Sequence, residues 1–208
     1  MMKKIVFWVL VSFISYSGTV WAAEGCAVNK VLGDVQVVRE GQMTPVKEHD
    51  ILKKGDSLQT GPDCTADMSM NDMAGCRVLA SSKVDVMGWK PENMSLSVSE
   101  GNVILNLKKL PKDSSFKLET PTAIATVRGT QFWGRVENSM PENPVTTFAV
   151  REGVVEITDK ASAKTFEIQK GQALDISKEG GVGPSVREAL PAEMQAMEQA
   201  DVIPMEAA

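Results

Sequence analysis

The chain has 208 residues, 43% of them hydrophobic and 24% charged, which is enough apolar content for one buried core and too much for a disordered tail. A formal net charge of −5 argues against a nucleic-acid footprint, and a single histidine leaves little room for hydrolase triads. These figures predict one soluble domain with appendages.

The first residues, MMKKIVFWVLVSFISYSGTVWAAEG, place Lys3 and Lys4 before an apolar stretch from Ile5 to about Ser15, followed by the small-residue site Val20-Trp21-Ala22. This predicts a signal peptide over residues 1–22 and a periplasmic or secreted mature chain beginning at Ala23. The apolar stretch is shorter than the about 20 residues a span needs, so no stable membrane span is expected after cleavage. Glu24, two places before Cys26, spoils a lipid-attachment signal. Loss of Lys3 and Lys4 takes the net charge from −5 to −7 and leaves Trp89 and Trp133 as the tryptophans.

Cys26, Cys64 and Cys76 in an exported chain predict one disulfide and one leftover thiol. If Asn71 to Gly75 is a hairpin loop, Cys76 lies opposite Met70 and Cys64 falls roughly 20 Å out of register, which disfavours a Cys64–Cys76 pair. Cys26 bonded to one of the others is then the expectation.

From Val28 to about Ile176 the signals are for short strands. Val31, Gly33, Val35 and Val37 alternate with Leu32, Asp34 and Gln36, and Ala66, Met68 and Met70 alternate with Asp67 and Ser69. Glycines recur ahead of such runs, at Gly33, Gly55, Gly75, Gly101, Gly153 and Gly171, as corners of a stacked or rolled body would require. A β-sandwich would give similar turns, so the predicted class is all-β with stacked short strands, roll, solenoid or sandwich. Lys90–Met94 and Glu137–Pro144 read as longer loops because of their prolines. Beyond Gly180-Gly181-Val182-Gly183 the chain becomes rich in Ala, Glu, Gln and Met, and Pro191 starts a short helix or tail that docks Met194 and Met197. The expected division is a β domain over 23–180 and a tail over 181–208.

No catalytic, metal or cofactor site is expected. His49 sits in the polar turn KEHDILKKGD with no Ser or Cys beside it, and no HExxH or CxxC pattern occurs. Met68, Met70 and Met73 between Cys64 and Cys76 suggest a soft copper site, but alternation places Met68 and Met70 in a strand core with Ala66.

The stretch TPTAIATVRGTQFWGRV, residues 120–136, carries the most information. Thr120-Pro121 ends one strand. Ala123, Ala125 and Val127 share a face, and after Gly129 the face passes to Thr130, Phe132, Gly134 and Val136, which marks a switch of register. Arg128 at this bend is expected to brace unpaired carbonyls and to pair with a turn carboxylate such as Asp56 or Glu152. Gln131, Trp133 and Arg135 point the other way, as an exposed anchor for a partner or as cover for an edge strand.

Three elements, LKKGDSLQTGPDCTADMSM (52–70), FKLETPTAIATVRGTQFWGRV (116–136) and VREGVVEI (150–157), resemble in order and spacing the FecR domain family of exported bacterial proteins. The resemblance spans roughly residues 30–176 and implies an all-β, non-catalytic domain without a cofactor. Named regulators of that family relay a signal from an outer-membrane iron transporter to a cytoplasmic sigma factor. They carry an anti-sigma segment before a membrane helix and a further module after the β domain. The few residues before Ile5 and the short stretch after the β body depart from that plan. The expected activity is therefore a binding or scaffold module of the envelope, its partner an envelope or surface protein or a wall or surface polymer. A polysaccharide-binding protein and a signalling component with a retained leader are the alternatives.

Overall fold

The computed structural model describes residues 25–138, 140, 142–178 and 184–205; the expected signal peptide and Gly180–Gly183 lie outside the described residues. Among the described residues seventeen strands form one hydrogen-bonded network folded into two facing layers. Alternation builds the strands as expected. In β8 (Lys83–Lys90), Val84 and Val86 turn inward while Lys83 and Met87 are exposed, and in β14 (Val154–Asp159) Val155 and Ile157 are buried against exposed Val154 and Glu156.

The upper layer runs, neighbour to neighbour, through β4 (Ile51–Leu52), β1 (Cys26–Leu32), β6 (Thr65–Met70), β7 (Ala74–Val78), the second half of β9 (Asn93–Leu107), β12 (Gln131–Glu137), β13 (Val145–Glu152), β16 (Gln172–Ser177) and β17 (Ser185–Glu188). The lower layer runs through β3 (Gln42–Pro45), β2 (Val35–Arg39), β5 (Ser57–Thr60), β8, the first half of β9, β10 (Phe116–Glu119), β11 (Ala123–Val127), β14 and β15 (Thr165–Gln169). The pairings are antiparallel except for β9 with β10. The expected all-β class is thus realised as a two-layered stack of hairpins, with β17 extending the upper layer beyond residue 180.

The chain crosses between layers again and again, and left-handed backbone marks the crossings: Gly33, Gly101, Gly129, Gly153 and Gly171 all have positive φ. Gly129 shows why. It joins β11 of the lower layer to β12 of the upper with φ 133°, a region nearly reserved for glycine. A Cβ there would lie 2.8 Å from the Lys109 Cα. The faces invert across it as expected, with Ala123, Ala125 and Val127 buried before the corner and Thr130, Phe132 and Val136 after it. Gly75, by contrast, is no corner. It lies inside β7, in register with Ser69 and Asn106.

Between the layers lies one core containing Phe116, Phe132, Phe148, Leu96, Leu105 and Leu118, together with Met68 and Met70, each fully buried as alternation required. Gly134 in β12 interlocks the layers. Its missing side chain leaves space filled by Leu118 of β10, whose Cδ2 would stand 2.9 Å from a Cβ.

Several expectations need correction. The connection at Lys90–Met94 is a tight turn at Pro91-Glu92, because proline's fixed φ suits a hairpin's first turn position as well as a loop. Left-handed Asn71 and Asp72 close the β6–β7 hairpin by Met73, so Cys76 lies opposite Met68 rather than Met70. The three cysteines are free thiols. Cys26 on β1 and Cys76 on β7 have β6 between them, two strand spacings or roughly 10 Å, beyond disulfide reach. Cys64 stands at the corner between layers, where its Sγ accepts the Asp34 N–H at 3.1 Å.

Gly129→Ala should cost about 2–3 kcal/mol of stability in urea unfolding, since strain and a backbone clash coincide there. Gly41→Ala, at the open tip of β2–β3 with no atom within 4 Å of the new Cβ, should cost about 1 kcal/mol from strain alone. Burial first, with the Asp56 carboxylate adding to it, pushes the Cys26 thiol up to about 12, and burial moves Cys76 the same way. Native protein should therefore leave Cys26 and Cys76 unreactive toward Ellman's reagent at pH 8, both titrating only in denaturant.

Candidate partner-binding surface

The 120–136 stretch enters the site through a buried hydroxyl cluster. The Thr120 Oγ1 accepts the Ala123 N–H at 3.1 Å, the Thr122 hydroxyl donates to Thr146 at 2.7 Å, and Thr146 donates to Thr120 at 3.0 Å. Together these close the turn at Pro121, which is itself exposed, and fix the start of β11. Phe132 is fully buried and Thr130 is buried with its hydroxyl unpaired, so both serve the interior of the Gly129 corner.

Arg128 does not brace the bend. The Leu110 N–H donates to the Arg128 carbonyl at 3.0 Å and the Leu107 N–H to the Thr130 carbonyl at 3.0 Å, so main chain satisfies the corner before any side chain is needed. Asp56, its expected partner, accepts from Arg39 through Nε at 2.9 Å and Nη2 at 2.6 Å. Arg39, Arg77, Arg135, Arg151 and Arg187 each face a carboxylate. Arg128 is exposed, and its guanidinium has no partner among the described residues.

Gln131, Trp133 and Arg135 do share the outer face of the upper layer. Arg135 is exposed and paired with Glu137. Trp133, expected to be exposed, is only 6% accessible, because the C-terminal segment lies over it. That segment comprises α1 (Pro191–Ala196), where the start predicted at Pro191 is found, and a 3₁₀ turn over Met197–Val202. Met197, Ala200 and Ile203 pack on Ile104, Trp133, Ala149 and Ala173, with Met194 at the margin. Small residues make this possible. At Gly75 a Cβ would stand 2.7 Å from the Pro204 carbonyl oxygen.

Long polar side chains of the sheet fasten the segment. Arg77 Nη1 donates to Gln199 at 2.9 Å, Asn106 Nδ2 to the Ala200 carbonyl at 3.0 Å, and Gln131 Nε2 to Asp201 at 2.8 Å. Arg151 donates to the Met197 carbonyl at 3.2 Å and to Asp201 at 2.7 Å. At the β17 end Arg187 spans Asp175 and Glu193, and Glu193 also accepts the Leu190 N–H at 2.7 Å, capping α1. The Trp133 indole N–H, buried beneath the segment, is unpaired. Sequence alone does not mark Arg77, Asn106 and Arg151. Their one signal there is a polar residue at an outward position on a strand, and the residues they meet lie far downstream.

The carboxylates of this region stay ionised. Hydrogen bonds from Arg151 and then Gln131 hold Asp201 below the ordinary carboxylate range. Burial pushes Asp175 and Glu193 upward, but Arg187 outweighs it and both end lowered, while Arg187 itself is raised. Elsewhere the buried acids are also bound: Asp67 by Arg77 at 2.6 Å, and Asp159 by the Ser162 hydroxyl at 2.5 Å and the Ala161 N–H at 3.1 Å.

The two-layered hairpin stack, with its VRGT motif on the corner between layers, defines an all-β domain of FecR type. The family model described as FecR protein matches residues 56–156, and the chain carries a domain of that family. Two crystal structures of a "putative anti-sigma factor" from Parabacteroides distasonis ATCC 8503 share the fold, with a TM-score of 0.58 at 14% identity. The match covers 69% of this chain and 64% of that one, so this chain spans less than two thirds of its structural relative. No curated protein matches the sequence. Among the described residues no helix is long and apolar enough to cross a membrane.

Because Asp175, Glu193 and Asp201 have lowered values in the folded chain, the stability they contribute is present at neutral pH. It is lost as pH falls below the unfolded carboxylate value of about 4. Lowering the pH from 7 toward 3 should lift the C-terminal segment first, seen as a red shift of Trp133 emission that precedes loss of the β-sheet circular dichroism signal.

Proposed function

We propose that this chain is a non-catalytic binding module that works outside the cytoplasm, its partner an envelope or surface protein or a wall or surface polymer. The observation that carries the reading is Arg128: the arginine of the family's VRGT motif stands exposed and has no partner among the described residues, while the protein's other arginines are neutralised within the fold. A guanidinium freed from structural work and held on a rigid corner is suited to a carboxylate or phosphate on a partner. The buried carboxylates Asp56, Asp67, Asp159 and Glu193 are tied to arginines or to N–H and hydroxyl donors, an arrangement that serves structure rather than proton transfer. The leader-like first residues support export, and the β domain of this proposal takes in β17, with the tail beginning after Glu188.

A second reading, a component of envelope signalling, is favoured by the fold shared with the Parabacteroides protein. Both readings make the corner a contact. Affinity capture from detergent-solubilised envelope, with wild type and Arg128→Glu run side by side, tests them. Reversal of the charge should reduce the captured partner at least tenfold while the melting temperature moves by less than about 2 °C, as expected for an exposed position. Equal capture by both proteins removes Arg128 from the contact, and capture of a sigma-factor regulator or transporter would select the signalling reading.

A further inference from the structure

The outer face of the upper layer is built like a receptor for a short helix. Its floor is apolar, formed by Ile104, Trp133, Ala149 and Ala173, and its rim is a row of long donors, Arg77, Asn106, Gln131 and Arg151. Its present occupant, the segment 191–204, presents Met194, Met197, Ala200 and Ile203 at three-residue intervals, the repeat of a 3₁₀ turn. Two short turns of this length have no helical stability of their own, so the face and not the segment's propensity holds them in shape.

Two features distinguish this contact from ordinary core packing. First, the rim reads the segment partly through its main chain: Asn106 takes the Ala200 carbonyl and Arg151 the Met197 carbonyl. Any helix end supplies such carbonyls; the rim reads Gln199 and Asp201 as side chains, and Arg187 of β17 holds Glu193. Second, the cover is imperfect. The Trp133 indole N–H is buried without an acceptor, while Val202 on the segment is 67% exposed. A buried donor left unpaired is a standing penalty that an occupant with an acceptor at that point would remove.

We propose that this face is a docking site for a short acidic helix of a partner protein, and that residues 191–204 occupy it in cis as a built-in competitor. The fitting helix carries Met-, Ala- or Ile-sized side chains every third residue on its buried side and a carboxylate opposite Arg151 and Gln131. Binding proceeds by exchange, the partner's segment replacing the chain's own, so affinity is reduced by the fraction of molecules whose face is covered. Gln131 and Trp133 are its contact residues, with Arg77, Asn106 and Arg151. Arg128 is not, so this proposal and the contact at the corner stand or fall separately.

The test uses the full chain and a fluorescein-labelled peptide with the sequence of residues 190–205, LPAEMQAMEQADVIPM, as the probe. Asp201→Lys, at an exposed position, breaks the fastening of the segment in cis without touching the core. Fluorescence anisotropy should show the peptide binding Asp201→Lys at least tenfold tighter than wild type, with the gain lost in Asp201→Lys/Arg151→Glu. Gln199→Lys, which breaks the Arg77 contact instead, should give a smaller gain in the same direction. Equal binding to wild type and both loosened variants would overturn the proposal. So would concentration-dependent dimerisation of Asp201→Lys, which would assign the face to exchange of segments between copies.

Discussion

Each layer of this protein has an inner face that only the other layer can bury, and a single chain must supply both. That requirement makes the crossing points decisive. Every time the chain passes from one layer to the other, the set of residues facing the interior changes, and at the shortest passages the backbone must turn within one or two residues. Left-handed backbone at Gly101, Gly129 and Gly153 meets the demand, and at Gly129 the approach of Lys109 leaves no space for a side chain. The hydrophobic alternation of the strands has meaning only because these corners set its phase.

The polar groups obey the same geometry. Several arginines on strands find carboxylates on a neighbouring strand or on the C-terminal segment, as in Arg77 with Asp67 across β6–β7 and Arg187 with Asp175 across β16–β17. Arg128 precedes a corner, and its position there points it out of the sheets. One outer face is then closed by a segment whose apolar residues fit between small ones, so the upper layer is enclosed on both sides near Trp133 while β3 at the lower edge remains exposed along its length. Exposure and enclosure are thus unevenly divided between the two sheets.

Much of the fold could be read from the residues alone. Ala123, Ala125 and Val127 announce one inward face, Thr130, Phe132 and Val136 the next, and Pro191 the start of α1. Local chemistry misleads where the answer is non-local. Trp133 looks exposed because its neighbours Gln131 and Arg135 are polar, yet its cover, Met197 and Ala200, arrives far downstream. Arg128 looks like a brace because a bend in the chain leaves carbonyls unpaired, but N–H groups of residues 107 and 110 reach those carbonyls first. The expected disulfide rested on compartment and not on distance, and β6 between Cys26 and Cys76 decides against it. Gly75 looks like a corner because no sequence rule distinguishes a glycine that bends the chain from one that admits a neighbour.

Strand β9 belongs to both layers at once, its early residues paired with β8 and β10 and its late ones with β7 and β12. Such a shared beam removes the seam along which a sandwich would otherwise come apart. Neither sheet can melt alone without breaking hydrogen bonds in a strand the other still holds, so the molecule should yield as a unit, and a load applied to one sheet is transmitted to its counterpart through covalent bonds instead of through side-chain friction.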